Sequence, residues 1–375
     1  MFNLYKKVAL LLTIGLLSGG IIQAQSLTTP ADGGNKRASV SERIGLTEIA
    51  ITYDRPALKG REGKIWGQLV HFGFADLGFG TSKAAPWRAG ANENTVFNTS
   101  TEVKIEGKTL PAGKYGLFMA VYADSVAIIF SKNSTSWGSY FYDAREDVLR
   151  VSVKPVKDQP VADWLKYEFE GETDNSATVA LSWERWKIPF RVEADVHNLV
   201  LASFRQELRN EKGFGWQPWN QAAQYCLQND VNLDEGLTWA ENAVSMPFFG
   251  AKNFTTLSTK AGLLSKLNRQ IEADAALKEA LPFGTMPELH AFGRSLLAQK
   301  KGAEALEVFK LNARKNPNQF TTNMGLTRGY SAVGDFKNAL KSAKAAQPQA
   351  PDQVNRDQLA RIIAQLGAGK DVNQP

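Results

Sequence analysis

The sequence predicts a two-domain protein, an antiparallel β-sandwich or partly closed barrel followed by an array of paired α-helices. Three observations predict it. Short apolar runs alternating with period two recur between Ala38 and Val192, separated by turn residues. Near Asp195 the period changes to about 3.6, where Leu199, Phe204 and Leu208 open an amphipathic helix. Beyond that point helical segments repeat at a nearly constant spacing.

At the N-terminus, Lys6 and Lys7 precede an apolar stretch from Val8 to Ile22, and Ile22-Gln23-Ala24 closes it with a small residue. Charge, apolar run and small-residue site in that order are the layout of a secretory signal. The run is interrupted by Gly15, Gly19 and Gly20 and is too short for a membrane span, which needs about 20 apolar residues. Residues 1–24 are therefore expected to be removed, leaving a soluble chain in the periplasm or outside the cell that starts near Gln25. No cysteine follows the apolar run, which argues against a lipid anchor, and no other segment is long and apolar enough to span a bilayer. Residues 25–37, rich in Thr, Pro, Asp, Gly and Asn, read as a flexible lead-in.

The all-β domain is expected over residues 38–194. Its strand-like runs are Ser39–Ser41, Thr47–Tyr53, Val96–Ile105, Tyr115–Val121, Val126–Phe130, Val148–Val153, Leu165–Phe169, Thr178–Trp183 and Ile188–Val192. Turns fall at Glu106-Gly107-Lys108, Pro111-Ala112-Gly113, Asp124-Ser125 and Thr173–Ser176. Between Lys59 and Asn94 the alternation stops, and the segment is rich in glycine and aromatic residues. A loop of that length is either functional or ordered by its own side chains. Trp66, Phe72, Phe74, Phe79 and Trp87 are the expected packing residues.

The helical domain is expected over residues 197–368. Ala305-Leu306 aligns with Ala339-Leu340, Leu296 with Tyr330 and Pro317 with Pro351, at a spacing of about 34 residues. Glu272-Ala273 aligns with Glu304-Ala305 and Leu277 with Phe309 at about 32, and Glu235-Gly236-Leu237 fits a further unit. Small residues at fixed points let two helices approach, and proline after a pair stops it. This half resembles the tetratricopeptide repeat family, although several of its consensus aromatics are absent; an irregular helical bundle is the alternative. The resemblance implies a surface for a protein or peptide partner.

Composition narrows the function. An apolar fraction of 43% is that of a globular protein. The net charge of +6 is spread among interspersed acidic and basic residues rather than gathered in a stripe, so nucleic acid is not an expected partner. The single cysteine, Cys226, sits in a helical pattern and reads as a small buried hydrophobe. His71, His197 and His290 lie far apart with no partner at metal-ligand spacing, so no metal or other cofactor is expected. Leu110–Gly116 lacks the phosphate-loop spacing and reads as a hairpin-type turn.

Several further motifs are distinctive: Ala38–Ser41, Ile44-Gly45, Tyr53-Asp54-Arg55-Pro56 with Lys59-Gly60-Arg61, Trp87-Arg88-Ala89-Gly90-Ala91-Asn92-Glu93, Leu110–Phe118, Trp137-Gly138 and Asp174–Thr178. Through them, residues from about 37 to 193 resemble a family of exported Bacteroidetes proteins catalogued only as a domain of unknown function, number 2911. The resemblance implies architecture and carries no reaction with it. One departure is that Phe74 to Ala85 looks like an insertion relative to that family.

The polar residues of these motifs flank the long loop from both ends. Tyr53, Arg55, Lys59, Arg61, Trp87, Arg88, Asn92 and Glu93 are the candidate site. One reading is a buried network of ion pairs and hydrogen bonds that holds the loop, with Glu93 locked to an arginine, or to backbone N–H groups, beneath Trp66 and Trp87. The other is a binding site, in which arginine donors meet a carboxylate, phosphate or sulfate and the tryptophans stack on a sugar ring. The expected function is accordingly a binding or scaffolding module, with a small anionic or carbohydrate ligand on the β domain. The alternative is an envelope hydrolase acting on glycans or peptides, with Glu93 as acid or base.

Overall fold

The computed structural model describes residues 34–373, so the expected signal (residues 1–24) and most of the lead-in lie outside the described residues. The chain divides after Val196 into two units. The first holds two antiparallel sheets and the second is helical, which is the fold class the two periodicities predict.

The first sheet has six strands in the order β1-β2-β3-β6-β7-β8: β1 (Lys36–Ile44), β2 (Thr47–Arg55), β3 (Thr95–Thr99), β6 (Gly113–Val121), β7 (Val126–Ser131) and β8 (Asp147–Val153). The second has five in the order β5-β4-β11-β10-β9: β4 (Val103–Ile105), β5 (Lys108–Leu110), β9 (Ala162–Glu170), β10 (Ser176–Glu184) and β11 (Trp186–Glu193). Strand β1 begins inside the segment read as lead-in. A single 3₁₀ turn, Ala144–Glu146, precedes β8.

The sheets face each other through aromatic side chains. Phe97 and Phe130 of the first sheet meet Phe190 of the second at 6.3 and 6.0 Å between ring centroids, and all three are buried. Tyr53 on β2 meets Tyr167 on β9 edge-on at 4.8 Å. Burying one such ring contributes about 1.5–3 kcal/mol, so these few residues account for much of the sandwich's cohesion.

Two expectations need correcting. The run Val96–Ile105 is two strands rather than one, because the chain leaves the first sheet after Thr99 and joins the second at Val103. The Pro111–Gly113 turn likewise connects strands of different sheets, β5 and β6, rather than closing a hairpin. Gly113 adopts φ +152°, and the Tyr115 hydroxyl donates to the Pro111 carbonyl at 2.8 Å. By contrast, Glu106 and Gly107 both have positive φ, 49° and 77°, and close the tight β4–β5 hairpin.

The helical unit has ten helices among the described residues: α1 (Val196–Glu207), α2 (Trp216–Asn229), α3 (Leu233–Ser245), α4 (Phe254–Lys266), α5 (Gln270–Ala280), α6 (Met286–Ala298), α7 (Gly302–Lys315), α8 (Phe320–Ala332), α9 (Phe336–Ala346) and α10 (Gln353–Gly367). The small residues picked out by the repeat spacing lie at the helix–helix contacts. Ala273, Ala305 and Ala339 are buried on α5, α7 and α9. On α3, a β-carbon at Gly236 would lie 2.6 Å from that of Cys226 on α2, so the pair packs at backbone distance. Cys226 is fully buried, and burial pushes its thiol up to about 11, which leaves it a packing residue rather than a nucleophile.

Candidate functional site

The long loop between β2 and β3 is ordered, and a tryptophan cluster orders it. Trp66 stacks on Trp186 at 4.8 Å and 16° and meets Trp87 edge-on at 5.8 Å. Trp87 in turn lies parallel to Trp183 at 6.2 Å and 17°. The backbone of Trp87 exchanges two hydrogen bonds with Met119 of β6, at 2.9 and 2.8 Å, which pins the end of the loop to the first sheet. Phe74 packs on Tyr142, but Phe72 and Phe79 are exposed and do not serve as loop core, contrary to their apolar character.

From this frame the predicted residues separate into three groups. Tyr53 and Arg55 hold the sandwich together. The Tyr53 hydroxyl accepts from the Tyr167 backbone N–H at 3.1 Å, and Arg55 Nε donates to the Leu165 carbonyl at 2.8 Å. Lys59 is exposed, with left-handed backbone at φ +50°.

A second group lines one open cavity of about 330 Å³: Arg61, Trp87, Arg88 and Asn92. The Arg61 guanidinium donates to the carbonyls of Leu58 and Ala57 at 2.9 and 2.8 Å. Arg88 Nη1 donates to the Asn92 carbonyl at 2.7 Å. Both arginines are thus fixed by backbone carbonyls, and among the described residues no carboxylate pairs with either. Each guanidinium has five N–H donors, so several on each remain available. Asn35, Trp137 and Trp183 also stand in the walls. Gly90, also in the wall, admits no β-carbon, which would lie 2.7 Å from Thr95 Oγ1.

Glu93 forms the third group and does not line the cavity. Its side chain is 51% exposed and pairs with Arg37 at 3.3 Å. It also hydrogen-bonds Asp54, a buried residue absent from the predicted set even though it lies between Tyr53 and Arg55. Burial, followed by the hydrogen bond to Glu93, raises the Asp54 carboxyl. The backbone N–H of Glu93 and the bond to Asp54 lower the Glu93 carboxyl, so at neutral pH Glu93 is an ionised carboxylate facing Arg37. No local signal in the sequence marks Asp54 as buried or brings Arg37 to it.

Other contributors are also remote in sequence. Trp137 arrives from the β7–β8 connection, and its ring lies under the Arg88 guanidinium at 5.2 Å. Trp183 is 1% exposed, and its indole N–H has no hydrogen-bond partner. Among the described residues no cluster of three or more His, Cys, Asp or Glu is arranged to hold a metal ion. Among the same residues no helix is long and apolar enough to cross a membrane.

Residues 35–192 match a family model described as a protein of unknown function, DUF2911. That span contains both sheets but for the last residue of β11, and every residue of the cavity. Solved structures with similarity include YrrB, a TPR protein with an unusual peptide-binding site, at 15% identity over 45% of this chain and 86% of that one, with a TM-score of 0.30. TTC0263, a thermophilic TPR protein in Thermus thermophilus, is 16% identical over 45% of this chain and 91% of that one, with a TM-score of 0.28. No curated protein matches the chain.

Proposed function

We propose that this is an exported binding protein whose β unit holds a small anionic ligand and whose helical array engages a protein or peptide partner. The observation that carries the first part is the cavity at Arg61 and Arg88. It holds two guanidinium groups positioned by backbone carbonyls, without a carboxylate among the described residues, between tryptophan walls. Such groups suit a carboxylate, sulfate or phosphate, because a charge-assisted hydrogen bond is roughly twice as strong as a neutral one. The hydrolase reading has less support in this geometry, since Glu93 lies outside the cavity and faces Arg37 as a carboxylate.

Galacturonate is a suitable probe, with galactose as the neutral control. A ligand that binds only the folded state raises the melting temperature in proportion to ln(1 + [L]/Kd). The acid is expected to raise it saturably and galactose is not. Arg88→Ala should weaken the acid's binding by at least tenfold, since truncating one partner of such a pair costs about 2–5 kcal/mol. An equal response to acid and neutral sugar would sink the anionic reading.

For the helical array, Arg294 on α6 and Arg328 on α8 support a partner with an acidic group. Among the described residues neither pairs with a carboxylate. Burial, then the charge on Arg294, lowers the Arg328 guanidinium, a cost that an arriving carboxylate would relieve. Export rests on the Lys6–Ala24 pattern, and a mature N-terminus near Gln25 in an envelope fraction is its readout.

A further inference from the structure

Beside the cavity the β unit exposes an aromatic ledge that its fold does not use. Phe79, Trp137 and Phe141 are 65%, 60% and 52% exposed. Trp137 lies parallel to Tyr140 at 6.0 Å and 10°, and Phe79 braces Tyr140 and Phe141 edge-on at 5.4 and 5.9 Å. The arrangement is built by specific backbone features rather than left over from a loose loop. The Ser82 N–H donates to the Tyr140 carbonyl at 2.9 Å. Gly80, at φ +77°, lets the chain approach so closely that a β-carbon there would lie 2.3 Å from that carbonyl oxygen. Gly138 makes room for Arg88, whose guanidinium lies 5.2 Å from the Trp137 ring and 5.3 Å from that of Tyr140.

Arg88 and Trp137 belong to both features, so ledge and cavity form one continuous surface. The cavity, at about 330 Å³, is at the low end of the roughly 300–1,000 Å³ usual for ligand pockets, so a longer ligand must continue outside it. What continues over parallel aromatic faces next to a cation must offer flat apolar faces edged by polar groups. A sugar ring does so, with C–H groups on its face and hydroxyls at its rim. An uninterrupted apolar surface such as a lipid core fits less well, because the Arg88 cation lies against both the Trp137 and Tyr140 rings.

We propose that the ligand is an acidic oligosaccharide, with one uronate carboxylate on Arg61 and Arg88 in the cavity and the following sugar rings stacked on the Trp137–Tyr140 ledge. This rests on the anionic-cavity reading above and extends it. The test compares galacturonate with trigalacturonate by calorimetry on the full chain. The trimer is expected to bind at least tenfold more tightly than the monomer. In Phe79→Ala/Trp137→Ala that ratio should fall to about one, while Trp137→Phe, which keeps a ring, should retain most of it. A far-UV spectrum and melting curve establish that each variant is folded. Equal affinity for monomer and trimer in the wild type overturns the ledge and leaves the cavity reading intact. Absence of binding to either acid overturns both. Binding to phosphatidylglycerol vesicles that needs the same rings, without any gain for the trimer, overturns the glycan in favour of a lipid surface.

Discussion

Phe309→Ala is expected to cost the helical unit about 3–5 kcal/mol, the range for deleting a buried aromatic ring. Phe309 on α7 is 1% exposed. Three glycines on the neighbouring helices receive its ring. A β-carbon would lie 2.5 Å from the ring at Gly293 on α6, and 2.6 and 2.9 Å from it at Gly325 and Gly329 on α8. Those three positions carry no side chain that could swing in to fill the space left by the ring, so the cavity collapses poorly and most of the penalty is expected. Denaturant unfolding followed by the helical circular dichroism signal gives the value, provided the slope m is unchanged. A loss below about 1 kcal/mol would show that the helices close over the gap. Gly325→Ala tests the same contact from the other side, because its methyl group must displace the ring.

The second large effect is expected at Trp183. Trp183→Ala should destabilise the β unit by about 3–5 kcal/mol, since the ring is buried between Trp87 and Trp66 and forms a cavity wall. Trp183→Phe should behave differently. A buried donor without a partner costs about 1–3 kcal/mol, and phenylalanine removes the unpartnered indole N–H while keeping a ring. That gain offsets much of the lost volume, and the variant is expected within about 1.5 kcal/mol of the wild type. Tryptophan fluorescence during denaturant unfolding separates the cases. A Trp183→Phe protein as unstable as Trp183→Ala would mean that the indole N–H has a partner in solution. If that partner is a ligand, galacturonate should stabilise the wild type more than Trp183→Phe.

The candidate site was legible only in part. Arg61, Trp87, Arg88 and Asn92 flank one loop in sequence and line one cavity in space. Glu93, which follows Asn92 directly, instead joins Arg37 and Asp54. The left-handed conformation at Asn92, φ +52°, directs the chain there, and asparagine tolerates that region. The two aromatic walls from later in the chain, Trp137 and Trp183, carry no local mark of their role. Phe79 reads as core by type, yet it is exposed, because residue type fixes what a side chain prefers and not whether the fold has an interior place for it.

By itself the sequence determined most of the elements and where their character changes. Backbone periodicity and turn propensity are local properties, so the switch near Asp195 and the turn at Glu106-Gly107-Lys108 were readable from neighbouring residues alone. The spacing of Ala273, Ala305 and Ala339 was readable for the same reason, since each helix pair repeats one local packing problem. Only the tertiary structure decided which sheet each strand joins. Phe97, Thr99, Val103 and Ile105 are all buried, so the alternation runs in phase through the crossing from β3 to β4 and conceals it. The tertiary structure likewise decided which charges meet. Arg37, Asp54 and Glu93 converge from distant positions, because long-range pairing is set by the free energy of the whole packed sandwich, which no local pattern encodes.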